Sequence, residues 1–175
     1  VAKDAMWDDA HENKLVTEIV RSDTGETAFK KTILYHSFPW GDRQAEEMID
    51  PDGAALKMNF LYYEDSSQQG RYSKMSGIQY ADGSWEKYDY NANGVQTVTV
   101  TPWKNSAYDS VAGDADAEYY DYTPVDANDV LTANDQRPRT VTRKIMGVTV
   151  GKTFHAYVTT ASKEFLEIEE KCVNP

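Results

Sequence analysis

The sequence has little of several residue types on which common functions depend. Cysteine occurs once, at Cys172, which excludes a disulfide framework within the chain and a cysteine-based metal site. The three histidines, His11, His36 and His155, lie far apart and form no His-x-x-x-His pair, so no zinc site is indicated. Lysine and arginine number 18 against 29 acidic residues, for a net charge of −11. This balance argues against nucleic acid as a partner, because binding to the phosphate backbone needs clustered positive charge.

Long hydrophobic runs are also missing. No apolar run approaches the roughly 18 residues of a membrane span, and no signal peptide is visible. We therefore predict no insertion into a membrane. The chain begins without methionine and ends abruptly at residues 171–175, from which we expect a fragment of a larger protein.

Motifs of catalysis are absent as well. The sequence contains no Gly-x-Ser-x-Gly nucleophile elbow, and the segment 147–153 falls one residue short of a phosphate-binding loop. Neighbouring carboxylates such as Asp8 and Asp9 do not place two acids across a cleft, which general acid–base catalysis needs. The sequence therefore predicts no catalytic residues and no enzyme.

What is abundant is tyrosine, with 12 residues against 5 phenylalanines. Tyrosine suits half-buried strands, where the ring packs and the hydroxyl reaches water. Short β-rich runs separated by Gly, Asn and Asp predict a mainly β fold. We expect antiparallel β-hairpin repeats in a twisted or curled sheet, with a short N-terminal helix over residues 3–14. The strands are predicted at 15–21, 27–36, 46–49, 54–63, 74–80, 84–90, 95–101, 139–150, 153–160 and 164–171, with a turn at 151–152.

The predicted organisation has four parts. Residues 1–14 are an N-terminal helical segment, and residues 15–104 are β-hairpin repeats. Residues 105–138 are rich in Asp, Asn and Pro and are predicted to be an acidic loop or insertion, with one short strand at 118–122. Residues 139–175 return to the same domain as a hairpin and a final strand.

A loose repeat underlies this pattern. The turn glycines Gly25, Gly53 and Gly83 recur at intervals of 28 and 30 residues. Glycine is expected there because tight hairpin turns require a positive φ. An aromatic strand follows two of these turns, at 60–63 and 88–90, and each aromatic strand leads to a second glycine turn.

These residues resemble the YD-repeat, or Rhs-repeat, family of bacteria. Tyr88-Asp89-Tyr90-Asn91-Ala92-Asn93-Gly94 is similar to the signature Tyr-x-Tyr-Asp-x-x-Gly, with Asn91 where the family usually has Asp. The turn at 80–84 is similar to the Asp-Gly turn before it, and 61–71 resembles a second copy with an insertion. The resemblance covers residues 46–104.

The resemblance implies a non-catalytic structural segment, a shell or scaffold, within a larger secreted or cell-surface bacterial protein. Its implied partners are flanking repeats of the same polypeptide or another protein. Two alternatives stay open, a carbohydrate- or protein-binding β-sandwich module and a polysaccharide-acting hydrolase. The first would need aromatic side chains on one exposed face to stack on sugar rings. Its candidate ligand-binding residues are Trp40, Trp85, Trp103, Tyr88 and Tyr90.

One acidic stretch is a candidate calcium site, in a protein for which no other cofactor is predicted. Asp114, Asp116 and Glu118 place carboxylate oxygens at alternate positions, and such oxygens are the ligands that Ca²⁺ prefers. An EF-hand loop starting at Asp114 would need glycine and glutamate where Tyr119 and Val125 stand. The alternative is an acidic, mobile loop without a bound metal ion.

Overall fold

The protein is built from β-strands that pair with their neighbours in sequence. The structure, a computed structural model, describes residues 2–7, 12–20, 23–125, 127–129, 137–159 and 165–172. Every regular element in these ranges is a strand, which confirms the prediction of a mainly β protein. The strands are β1 (Ala2–Trp7), β2 (Glu12–Val20), β3 (Thr27–Phe38), β4 (Gly41–Ile49), β5 (Leu56–Tyr62), β6 (Met75–Gln79), β7 (Trp85–Tyr90), β8 (Gln96–Thr101), β9 (Asp116–Asp121), β10 (Thr140–Ile145), β11 (Val148–Thr159) and β12 (Phe165–Cys172).

The chain divides into two compact units. The first comprises Val1–Glu64 and Met75–Trp85, and the second comprises Asp65–Lys74 and Glu86–Pro175. In the first unit β1 to β6 pair antiparallel in sequence order. In the second unit β7 to β12 do the same. Each strand therefore pairs with a strand that is local in sequence, which keeps the entropy cost of closing the connecting loops low.

The predicted N-terminal helix is wrong. Residues Ala2–Trp7 form β1, which pairs with β2 from Ala2 opposite Glu18 to Trp7 opposite Asn13. A single helix of about 12 residues is marginal in water without packing, whereas a strand here gains a full ladder of hydrogen bonds with β2. Tertiary pairing has overridden a weak helical preference.

The predicted turn at residues 151–152 is also wrong. The strand expected at 139–150 is two strands, and the turn lies between them at Met146 and Gly147. Both turn residues have positive φ, 50° and 79°, as a two-residue hairpin turn requires. The Met146 N–H donates to the Ala115 carbonyl at 2.9 Å, which holds this turn, while Gly151 lies within β11.

The acidic stretch contributes an inner strand. β9 lies within residues 105–138 and pairs with both β8 and β10. Its start at Asp116 precedes the strand expected at 118–122 by two residues. Ala115 and Ala117 at its start are fully buried, and Val100 of β8, directly opposite Ala117, is also buried.

Deep burial is sparse elsewhere. No large side chain is completely buried among the described residues, and most strand positions are half-buried on both faces. Cross-strand side-chain pairs and polar networks therefore stabilise the fold. A cross-strand pair contributes roughly 0.2–1 kcal/mol. No helix that could cross a membrane occurs within the described ranges.

Candidate functional site

Of the five aromatic residues predicted to bind a ligand, one is buried and four are half-buried. Trp85 is only 3% exposed, so its ring packs inside the protein and is closed to a sugar. Trp40, Trp103, Tyr88 and Tyr90 are half-buried. Trp40 and Trp85 belong to the first unit, whereas the other three belong to the second.

Trp40 lies in an aromatic cluster of the first unit. It forms the turn between β3 and β4 and stacks on Phe38 with ring centroids 4.6 Å apart and planes 10° apart. Phe38 also contacts His36 at 4.6 Å and Tyr62 at 5.3 Å. The Tyr62 hydroxyl donates to the Gln44 carbonyl at 3.0 Å, and burial raises its pKa. These contacts join β3, β4 and β5, so the cluster has a packing role.

Tyrosines of the second unit form a ladder across its strands. The Tyr120 hydroxyl lies 2.9 Å from Thr99 Oγ1 and 3.1 Å from Glu118 Oε2, and burial raises its pKa. The Tyr122 hydroxyl donates to the Gln96 carbonyl at 2.7 Å. Tyr88 stands directly opposite Thr99, and its hydroxyl donates to a carboxylate on its own strand. The hydroxyls therefore bond within the sheet face.

Trp103 is held in a local turn after β8. Its N–H donates to Ser106 Oγ at 3.3 Å, and the same hydroxyl donates back to the Trp103 carbonyl at 2.7 Å. The Lys104 ammonium lies 6.0 Å from the centre of the Trp103 ring. This arrangement orders the loop that leads toward β9.

Two turns of the proposed repeat share one hydrogen-bond pattern. Tyr80 N–H bonds to the Ser84 carbonyl, and Gly83 N–H bonds to the Tyr80 carbonyl, at 2.9 and 3.0 Å. The turn at 91–95 repeats both bonds at 2.9 Å. Gly83 and Gly94 occupy the same place with φ of 83° and 76°, which glycine adopts without a steric penalty. These are the two successive glycine turns of one copy of the proposed repeat, at the two ends of β7.

The turn at Gly53 has a different basis. Gly53 was expected to take a positive φ, but Asp50 and Ala55 take it instead, at 53° and 50°. A Cβ on Gly53 would lie 2.4 Å from Asp50 Oδ2. Glycine is needed there to let the Asp50 carboxylate approach and accept the Ala54 N–H at 2.8 Å.

The insertion at 65–74 docks on the turn at 91–95 within the second unit. Gly70, with φ of 79°, lies so close that an added Cβ would fall 2.1 Å from the Asn91 carbonyl oxygen. Arg71 Nε reaches Asp89 Oδ1 at 2.8 Å and the Tyr90 carbonyl at 3.3 Å. The signature segment 88–94 is thus held by the residues that precede it in the chain.

Asx turns recur where strands end. The side-chain oxygens of Asp65, Asp82, Asn91 and Asp121 each accept the N–H two residues on, at 2.8–2.9 Å. Such bonds satisfy turn backbone and favour the turn over continued strand. Hydrogen bonds from the Ser84 hydroxyl and N–H lower the pKa of Asp82 below its usual value.

This shift gives a pH prediction. Because the folded pKa of Asp82 is lowered, its contribution to stability is present above the unfolded pKa and is lost as pH falls below about 4. Asp82→Ala should therefore lower the urea midpoint at pH 7. At pH 3 the difference in midpoint between this variant and the wild type should be smaller. Asp82→Asn, which keeps an acceptor and cannot ionise, is the matched control. An equal gap at both pH values would contradict the role of the ionised carboxylate.

The predicted calcium ligands have other partners. Arg143 Nε contacts both carboxylate oxygens of Asp116, at 3.0 and 3.1 Å, and Glu118 accepts from Tyr120. Asp114 is exposed at the preceding turn. Where the structure describes the chain, no three His, Cys, Asp or Glu side chains are grouped to hold a metal ion. The geometry at β9 favours an ion pair with Arg143, and calcium binding stays a prediction.

Sequence reasoning missed the most buried ionic contact of the second unit. Arg139 Nε and Nη2 bind the two carboxylate oxygens of Asp129 at 2.8 and 3.1 Å, with side chains 3% and 0% exposed. Arg139 Nη1 also donates to the Arg137 carbonyl, and both guanidinium groups face the Tyr157 ring, at 5.3 and 4.6 Å. The pair ties the segment before β10 to β11.

Taken together, the positioned groups are turn caps, ion pairs and tyrosine hydroxyls that bond within their own sheet. Each satisfies a backbone group or contacts a neighbouring strand. Comparison of the sequence with models of known protein families and with curated proteins gives no match to either.

Proposed function

We propose that this chain is a non-catalytic structural segment, a shell or scaffold, of a larger secreted or cell-surface bacterial protein of the YD-repeat type. The observation that carries the proposal is the pair of matching turns at 80–84 and 91–95, each with glycine at the same position. The two turns lie at the two ends of β7, so one glycine-dependent turn geometry closes two successive hairpins, and this supports construction from hairpins added in series.

The strand order within each unit supports the same proposal. Every hairpin lies beside the one before it, so a unit grows by addition at an edge. A lone hairpin buries little apolar surface and exposes unpaired backbone, and stacking with neighbours satisfies both needs. Flanking repeats of the same polypeptide are therefore the proposed partners.

The experiment extends the chain with flanking sequence of the parent protein, by one hairpin in a first variant and by three hairpins in a second. We expect the urea midpoint and the m-value to rise with each addition, because each new hairpin adds neighbour contacts and buried surface. The control is the same length of an unrelated unstructured linker. The proposal is refuted if the parent sequence has no further hairpins with glycine turns and aromatic strands. It is also refuted if the urea midpoint does not depend on the number of hairpins.

A further inference from the structure

Cationic and hydroxyl side chains gather on one face of the second unit, away from the repeat signature. Tyr119 of β9, Thr142 and Lys144 of β10, and Thr149 and Lys152 of β11 line an open depression of about 370 Å³. We call these five residues the lysine–threonine face. Its volume is near the lower end of the range for ligand pockets in proteins, about 300–1,000 Å³, and the depression is open to solvent.

A β-bulge makes this face. Thr142 stands opposite both Tyr119 and Lys152, and Lys144 stands opposite Thr149. In a regular strand Thr149 and Lys152 would point to opposite faces, because side chains alternate with period two. The register shift after Arg143 adds one residue to β11 and brings both to the same face. The two lysines are then diagonal neighbours, a spacing of about 7–8 Å between strands.

The lysines of this face differ from other cations of the second unit. Lys87 pairs with Asp109 at 2.6 Å, and Arg143, on the opposite face of β10, pairs with Asp116. Lys144 instead lies over the Tyr119 ring, with its ammonium 4.9 Å from the ring centre. No carboxylate side chain that the structure describes forms an ion pair with Lys144 or Lys152. Two half-buried lysines therefore lie near each other without an ion pair to a described carboxylate, on a chain whose net charge is −11.

We propose that the lysine–threonine face binds a carboxylate or sulfate group of an acidic polysaccharide. Two ammonium groups supply the charge, and the two threonine hydroxyls can exchange hydrogen bonds with sugar hydroxyls. A long nucleic acid fits poorly, since its closely spaced phosphates need many cations, whereas this face has two and the surrounding protein is acidic. Binding of a polysaccharide goes beyond the structural role proposed above and does not depend on it.

The test measures binding by isothermal titration calorimetry at low ionic strength. The probes are polygalacturonate, which carries carboxylates, and chondroitin sulfate, which carries both groups. Neutral dextran is the uncharged control. We expect Lys144→Ala/Lys152→Ala to weaken binding of the charged polymers at least about tenfold, equivalent to about 1.4 kcal/mol. Lys144→Arg/Lys152→Arg should retain binding to within a few-fold.

The control for net charge is Lys57→Ala/Lys104→Ala, which removes two positive charges from exposed positions elsewhere, one of them paired with Glu46. It should bind like the wild type. The proposal is overturned if neither charged polymer binds the wild type, if both alanine pairs weaken binding equally, or if a single-stranded oligonucleotide binds as tightly through the same lysines. Unfolding midpoints of all variants show whether each is folded. If the alanine pair does not fold, Lys144→Gln/Lys152→Gln, which keeps long polar side chains without the charge, takes its place and should weaken binding by the same factor.

Discussion

Asp129→Ala is expected to lower the free energy of unfolding of the second unit by about 3–5 kcal/mol, because it leaves a buried guanidinium without its counter-charge. Arg139 is 3% exposed at its side chain and makes two hydrogen bonds to the Asp129 carboxylate. Removing one partner of such a pair costs far more than the pair contributes, since the remaining ion cannot regain water. A loss of this size is a large part of the about 5–15 kcal/mol that stabilises a typical domain.

The measurement is urea unfolding followed by tryptophan fluorescence, where Trp103 reports on the second unit. The control is Asp109→Ala, which breaks an ion pair with Lys87 at an aspartate 80% exposed and should change the midpoint little. A second variant, Asp129→Ala/Arg139→Met, removes both charges and should recover much of the loss. If Asp129→Ala behaves like the surface control, the buried pair does not hold the segment before β10.

The turns were the most predictable part of the fold. At Gly83 and Gly94 the expected positive φ is present, because in these short turns only glycine adopts it at no steric penalty. Gly53 shows the limit of that rule, since the same residue type serves a close approach of Asp50 instead. The sequence indicates where a turn lies. It does not show whether glycine is present for a positive φ or for a close approach of another side chain.

Partners distant in sequence were beyond prediction. Nothing local distinguishes Asp129 from the other acids of its stretch, so its pairing with Arg139 cannot be predicted from the sequence. The lysine–threonine face depends on one added residue in β11, and a bulge leaves no periodic signal that would place Lys152 beside Thr149. The sequence therefore does not determine the register of the strands, and a shift of one residue moves every side chain of a strand to the opposite face.

Gly70→Ala should lower the stability of the second unit by about 2–5 kcal/mol, the sum of two separable effects. A left-handed backbone costs a residue with a Cβ about 1–2 kcal/mol, and φ at Gly70 is 79°. Overpacking adds about 1–3 kcal/mol, because the new Cβ would lie 2.1 Å from the Asn91 oxygen and 2.7 Å from Ala92 carbon, both of them backbone atoms. Neither atom can move aside without distorting the turn.

Gly147→Ala, in the same unit, separates the two effects. Gly147 has a φ of 79° and nothing closer than 3.8 Å to an added Cβ, so its substitution carries the backbone cost alone. Gly113→Ala, which lies in open space without positive φ, should be neutral. Urea midpoints of the three variants, with hydrogen exchange of the amides at 91–95, measure the excess at Gly70. Suppose that Gly70→Ala loses more than about 1 kcal/mol beyond its control and that the amides at 91–95 exchange faster. The insertion at 65–74 then stabilises the turn at 91–95. Equal midpoints for Gly70→Ala and Gly147→Ala would mean that the insertion only contacts the turn at 91–95, because a contact that accommodates a methyl group without cost cannot hold a neighbouring turn in place.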